Sequence, residues 1–455
     1  MRSTVMVSGK KTPVDMILTQ ADHVITCDPL FRIFSPGAVA VSQGAIVAVG
    51  PPCELEEHYE AKETLTLQGF ILLPGLINTH VHGAMSLFRG LGDDLPLDRW
   101  LHERIFPAES RFVQPEFVRL GTLLSCVEMV LGGITTFCDG YFFEEAAADA
   151  AELSGMRAVL GQGILSLPTP DVPNPSQVAD RAAAFVESFS GKPSRLKPSL
   201  FCHAPYTCDP ETLQWAKAFC RDRGLLFQIH VSESSWEVQE VRSKYGLSPV
   251  RHLERLGLLD ELTLCVHAVW VDEDEIRILA RSRAGVSHNV ESNLKLASGI
   301  APVPAMLQAG ISVGLGTDGC ASNNDLDLFS EISLTAKIHK AVSGNPTVCS
   351  AREVLLMATQ WGARVLGLGS VTGSLEVGKR ADLIAIQVNQ AHLTPLYDPV
   401  SHLVYAARAT DVRHVWIDGV PVVRDRVVQT ANVSHILQEA LAIGKKIRTA
   451  LFGKF

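Results

Sequence analysis

GFILLPGLINTHVH, residues 69–82, is an apolar run that ends in two histidines one residue apart. Side chains of a strand alternate with period two, so an HxH pair at a strand's end puts both imidazoles on one face. Two imidazoles on one face are half of a metal site. The rest of the chain decides whether His80 and His82 have partners.

Downstream, short apolar runs alternate with helical stretches such as EFVRLGTLLSCVEMVLGG (116–133) and ETLQWAKAFCRDRG (211–224). The runs are TTFCDG, RAVLGQGIL, LKPSLFCHAP, LLFQIHVSE, LTLCVHA, AGVSHN and ISVGLGTDG. Strand-then-helix alternation on this scale predicts parallel βαβ units and, with this many repeats, a (β/α)₈ barrel. Polar residues close the runs, at the barrel face where active sites are built. Before and after the barrel the pattern is β-rich: MILTQADHVIT (16–26) and GAVAVSQGAIVAVG (37–50), then GSLEVGKRADLIAIQV (373–388) and HVWIDGVPVVRDRVV (414–428). The expected organisation is a small composite β-sandwich from residues 1–73 and 369–455, with the barrel, 74–368, inserted between them. The tail from Ser434 reads as an amphipathic helix.

Five candidate ligands fall at the ends of four of these strands: His80, His82, His230, His267 and Asp318. One strand-end histidine is usually an ordinary polar cap. Five ligand-type residues in one layer are hard to explain structurally, and imidazole with carboxylate suits zinc or iron(II). Glu233 stands three residues after His230. Beside an acidified water it could shuttle protons, because burial raises a carboxyl's pKa toward that task.

Composition narrows the class. Of 455 residues, 47% are hydrophobic and 20% charged, enough apolar material for a large core. Net charge is −9 with scattered Lys and Arg, which argues against nucleic-acid binding. The N-terminal MRSTVMVSGKKTPVD carries basic residues without an apolar run, so it does not read as a signal peptide. No segment is apolar enough to span a bilayer. The ten cysteines form no CxxC pair, and each reads as a small buried apolar residue in a reducing cytoplasm.

Taken together, these motifs resemble the amidohydrolase superfamily in its mononuclear aminohydrolase branch. PGLINTHVH, HVSE, the strand ending at His267 and GLGTDG match its motifs in order and spacing, and no strand-end lysine offers a bridging carbamate. FRGLGDDLPLDRWLHERIFPAE (88–109), SNLKLASGIAPV (292–303) and GTDGCASNNDLDLF (316–329) are similar to the 5′-methylthioadenosine/S-adenosylhomocysteine deaminases. The resemblance implies that His80, His82, His230 and Asp318 hold one divalent metal, most often zinc, with iron or manganese also accepted. It implies that Glu233 contacts and protonates purine N1, that His267 helps activate the attacking water, and that Asp318 passes a proton to the departing ammonia. His203 would contact the purine, Glu109 would hold the ribose hydroxyls, and Trp100 would wall the pocket. Read without the family, Trp100 fits a core aromatic, Glu109 a surface carboxylate of its helix, and His203 a strand cap. The resemblance also implies a purine nucleoside as partner and a homo-oligomer, dimer or larger.

Two departures stand out. Relatives that take S-adenosylhomocysteine can grip its carboxylate with arginines after the third barrel strand, where this chain has Gln162 and no arginine until Arg181. A buried carboxylate without a cationic fork is costly, so substrates lacking that tail are expected. HNVESN (288–293) stands where relatives often read HCPxSN, and is expected to reshape the purine or leaving-group side of the pocket. The rival readings are hydrolysis of another N-heterocycle (a triazine, guanine or cytosine) and a non-catalytic binding protein on the same barrel.

Overall fold

The computed structural model describes residues 11–453, so the first ten residues of the segment read as lacking a signal peptide lie outside the described residues. The opening run 69–82 is not one strand but two. Phe70–Pro74 belongs to an outer sheet and Leu76–Val81 is the first barrel strand. Gly75 is the joint: a Cβ there would lie 2.1 Å from Thr135 Oγ1, so only glycine lets the chain cross the barrel's base.

Seven further strands complete the barrel: Ile134–Tyr141, Arg157–Ile164, Leu196–Cys202, Phe227–Val231, Thr263–His267, Gly285–His288 and Val313–Leu315. They pair in chain order, all parallel. The last meets the first through the Asp318 amide, which donates to the His80 carbonyl at 3.0 Å. Beside it Asn78 bridges to Thr317, its amide donating to Oγ1 at 2.8 Å and its Oδ1 accepting the Thr317 amide at 3.1 Å. Barrel strands are buried on both faces, which is why they read as continuous apolar runs rather than alternating ones.

Both ends of the chain build the outer sheets. A four-stranded sheet runs Ala45–Gly50, Gly37–Ser42, Thr12–Ala21, Tyr59–Thr66. A seven-stranded sheet places Leu383–Gln387 antiparallel to Phe70–Pro74. Met16, Leu18, Val39, Val41, Leu72, Leu383, Ala385 and Trp416 form the core between the sheets. The alternate residues Ile71, Leu73, Ile384 and Ile386 join the barrel core instead. FILLP and LIAIQ are therefore apolar at successive positions because each face meets a different core. Arg157, at the base of the third barrel strand, ties the layers together. Its guanidinium donates to both carboxylate oxygens of Asp382, at 2.7 and 3.0 Å, and to Asp418 at 2.6 Å.

The final helix, Val433–Phe452, is capped by Asn432. GSLEV does not form a strand; an isolated bridge joins Arg380 to Ala45, and the strand itself begins at Leu383. All ten cysteines are free thiols, and all but Cys53 are buried. Among the described residues, no helix is long and apolar enough to cross a membrane.

Candidate active site

The strand ends converge as their spacing predicts. His80 Nε2 and His230 Nε2 lie 3.2 Å apart, and Asp318 Oδ1 lies 3.5 Å from His80 Nε2 and 3.4 Å from His82 Nε2. Ligand atoms of the three histidines fall within 4.8 Å of one another. The His82 Nδ1–H donates to the Gly140 carbonyl at 2.6 Å, which leaves Nε2 as a lone pair aimed at the cluster. Burial pushes the His80 imidazole down to about 4 and the His230 imidazole well below its usual value, so both are neutral at pH 7. Burial would raise the Asp318 carboxyl, but hydrogen bonding to His80 and the histidine charges around it hold it well below the usual range. Ring nitrogens of three imidazoles and one carboxylate crowded about a single space form a donor set that a cation would complete. A divalent metal fits.

Asp318 is oriented from behind. Oδ2 accepts from Ser292 Oγ at 2.7 Å and Ser322 Oγ at 2.8 Å, while Oδ1 accepts the Gly319 amide at 2.8 Å. His267 is not in the tight cluster; its Nε2 lies 3.8 Å from Glu233 Oε2. Burial raises the Glu233 carboxyl, with the His267 charge opposing. Glu233 is held through its backbone: Glu237 accepts the amides of Ser232 at 2.9 Å and Glu233 at 2.7 Å. Ser232, His267 and Asp318 have φ of +53°, +74° and +61°. Left-handed backbone at three non-glycine strand ends costs on the order of 1–3 kcal/mol each, strain of the kind that collects at functional sites.

A cavity of about 710 Å³, part of it open to solvent, lies over this cluster. Trp100, Leu101, Ile105 and Phe106 wall it from the helical stretch 97–112, whose middle turn, Leu101–Ile105, is a π-helix. Trp100 is buried, as a core aromatic would be, but against the cavity. Glu109 is not a surface carboxylate. It is 7% exposed, lines the cavity and accepts a hydrogen bond from Tyr141 Oη at 2.6 Å. Burial pushes it up to about 7, the tyrosine opposing. A carboxyl with one wall partner and one face to the cavity is built to take another donor. His203 lines the cavity next to His230, its Nδ1 2.9 Å from Thr207 Oγ1, and burial lowers it to about 3. Phe201 packs beneath His82 and His230, its ring occupying the space a side chain at Gly140 would need.

Two sequence expectations need correction. Gln162 does not face the cavity; on the third strand its neighbour Gly163 does, and the Gln162 amide donates to Asp171 at 2.7 Å. Arg181 also pairs outward, with Glu145 and Asp171. The arginine question is answered instead by the whole lining, which among the described residues contains no Lys or Arg. HNVESN does not line the cavity either; its Ser292 and Asn293 grip Asp318 and His267 from behind. The sequence reading missed Tyr141, one residue beyond TTFCDG, and Glu237, Ser292, Asn293 and Ser322. Tyr141 carried a signal, because it ends a barrel strand; the others act across loops.

Comparison with known proteins agrees with this geometry. Residues 71–422 match the amidohydrolase family. A 5-methylthioadenosine/S-adenosylhomocysteine deaminase of Syntrophobacter fumaroxidans is 46% identical over 434 residues, covering 95% of this chain and 98% of the relative. A 5′-deoxyadenosine deaminase of Methanosarcina acetivorans is 41% identical, covering 95% of this chain and 98% of the relative. The crystal structure of an adenosine deaminase from Xanthomonas campestris with bound zinc superposes with a TM-score of 0.94 at 36% identity, covering 97% of this chain and 100% of that one. The chain belongs to the amidohydrolase family and, within it, to the group of 5-methylthioadenosine/S-adenosylhomocysteine deaminases.

Proposed function

We propose that this protein deaminates an adenine nucleoside hydrolytically at C6, giving the inosine analogue and ammonia. The observation that carries the reading is one cavity holding both halves of the chemistry: a metal-type cluster beside a buried Glu233 whose carboxyl is raised by that burial, and a Glu109–Tyr141 handle on the far wall. The deaminase relatives and the adenosine deaminase neighbour support it.

His80, His82, His230 and Asp318 would hold the metal, and zinc is the proposed ion, as in the solved neighbour; iron(II) and manganese(II) suit the same donors. When bound, the metal supplies Lewis acidity that acidifies water at the site. Glu233 donates its proton to purine N1, which makes C6 electrophilic. His267 and Asp318 orient the attacking water and take up its two protons in turn; Asp318 passes one to the departing amine, and the other returns to Glu233, replacing the proton given to N1. Glu109 accepts hydrogen bonds from the ribose hydroxyls, His203 contacts the purine, and Trp100 with Phe106 excludes water from the cavity mouth. Residues 74–368 form the catalytic unit in this reading, on a composite sandwich of 1–73 and 369–455. The enzyme works as a homo-oligomer in the cytoplasm, with no nucleic-acid or membrane partner.

A lining without cations fits 5′-methylthioadenosine, 5′-deoxyadenosine and adenosine better than S-adenosylhomocysteine, whose carboxylate would lose water without gaining a partner. Ammonia release by zinc-loaded protein tests this on those four nucleosides plus free adenine, guanine, cytosine and a chlorotriazine. Fast turnover of the uncharged 5′-variants with S-adenosylhomocysteine lagging is expected. Turnover of free bases or triazines alone would remove the ribose role of Glu109 and assign the cavity to another heterocycle.

A further inference from the structure

The turn Val290–Lys295 follows the seventh barrel strand, and two consecutive side chains on it reach two different site residues. Ser292 Oγ donates to Asp318, and Asn293 Oδ1 lies 2.9 Å from His267 Nδ1. An amide oxygen only accepts, so the imidazole proton must sit on Nδ1. A neutral imidazole has one such proton, which leaves Nε2 bare. That bare nitrogen is the one facing Glu233 and the cavity.

The amide of Asn293 is rigidly placed for this contact. Asn293 is 1% exposed; its backbone N–H donates to the Asn289 carbonyl at 3.0 Å, and its own carbonyl accepts from Ser298 at 2.8 Å. Its buried Nδ2 has no hydrogen-bond partner, so the side chain gives up one bond of its own while Oδ1 meets the histidine.

We propose that Asn293 is a positioning residue that locks His267 in the Nδ1–H tautomer, so that Nε2 stands ready to take a proton from the attacking water. With the opposite tautomer an N–H would point into the site and the ring could accept nothing. The inference rests on the water-activating role assigned to His267 above.

The test uses zinc-loaded protein with ¹⁵N-labelled histidine, read by ring-nitrogen spectra and by steady-state kinetics. Wild type is expected to show His267 protonated at Nδ1 and bare at Nε2. Asn293→Ala is expected to mix the tautomers and lower kcat about 10- to 100-fold with KM and zinc content little changed, part of the 10²–10⁴-fold that a placed acid or base contributes. Asn293→Asp keeps an acceptor at the same place and is expected to restore the Nδ1–H form and kcat to within about threefold. On a His267→Ala background, Asn293→Ala should cost nothing further, which a merely structural role would not give. A wild-type spectrum with the proton on Nε2 overturns the inference without any variant. So does Asn293→Asp as inactive as Asn293→Ala, or Asn293→Ala with wild-type kcat beside an inactive His267→Ala; the deaminase reading then stands. An active His267→Ala overturns the inference together with the water-activating role of His267, and the deaminase reading stands.

Discussion

At the scale of single residues, two buried carboxyls carry opposite duties, and each can be probed with its amide isostere. Glu233→Gln keeps the shape but has no proton to pass to N1. Metal content is expected to be unchanged and turnover to fall about 10²–10⁴-fold; near-normal ammonia release from that variant would remove Glu233 from the proton path. Glu109 is held up at about 7 by burial, against 4.5 in an exposed chain. Between those pH values the folded state keeps a proton that the unfolded chain has released, so this carboxyl lowers stability as pH rises. The loss reaches about 3 kcal/mol above pH 7. Glu109→Gln should therefore melt higher than wild type above pH 7, with the gap closing toward pH 4.5, while the KM for nucleosides rises. Melting scans at several pH values decide it: equal curves throughout would mean that the carboxyl is not strained by burial. The convergence of His80, His82, His230 and Asp318 was legible in the sequence because strand ends in a barrel share one layer. Burial of Glu109 was not, because it depends on which helix folds over the mouth. The aim of Gln162 was not either, since a one-residue change of register turns a strand side chain to the other face.

At the scale of elements, the ion pair from Arg157 to Asp382 and Asp418 is a buried polar link between barrel base and outer sheet, beside hydrogen bonds such as Arg426 to the Leu131 carbonyl. Arg157 is 4% exposed and Asp382 fully enclosed. Removing one partner leaves a buried charge without its counterion, at a cost of about 3–5 kcal/mol. Asp382→Ala is expected to lower the urea midpoint markedly while ammonia release per folded molecule stays near wild type; an unmoved midpoint would show that apolar packing alone joins the layers. All eight barrel strands could be read from apolar runs because both faces of each are buried. The sequence placed a boundary between 73 and 74, but the break into two strands at Gly75 could not be read, because a strand sandwiched between two cores looks the same as a barrel strand. The π-helical turn at Leu101–Ile105 was hidden for a related reason: apolar residues at both its ends fit an ordinary helix as well.

At the scale of the whole molecule, the net charge of −9 goes with a cavity lining that holds no Lys or Arg among the described residues. The position of the ligands in the barrel's circuit matters too. His80 and His82 sit on the first strand and Asp318 follows the last, where Asn78 and Thr317, 239 positions apart, already join. A barrel is a hoop of eight staves, and three of the four proposed ligands, His80, His82 and Asp318, straddle the one gap that consecutive βα units do not close, while His230 reaches in from the fifth strand across the ring. The ion would then be the hoop's buckle as well as its chemistry. Chelation is expected to lower the melting temperature by the linkage that any ligand of the folded state exerts. It should also release amide protons of Leu76–Val81 and Val313–Leu315 to exchange before those of Arg157–Ile164, the third strand, which carries none of the proposed ligands. Uniform loosening around the ring would mean that the hoop holds without its buckle.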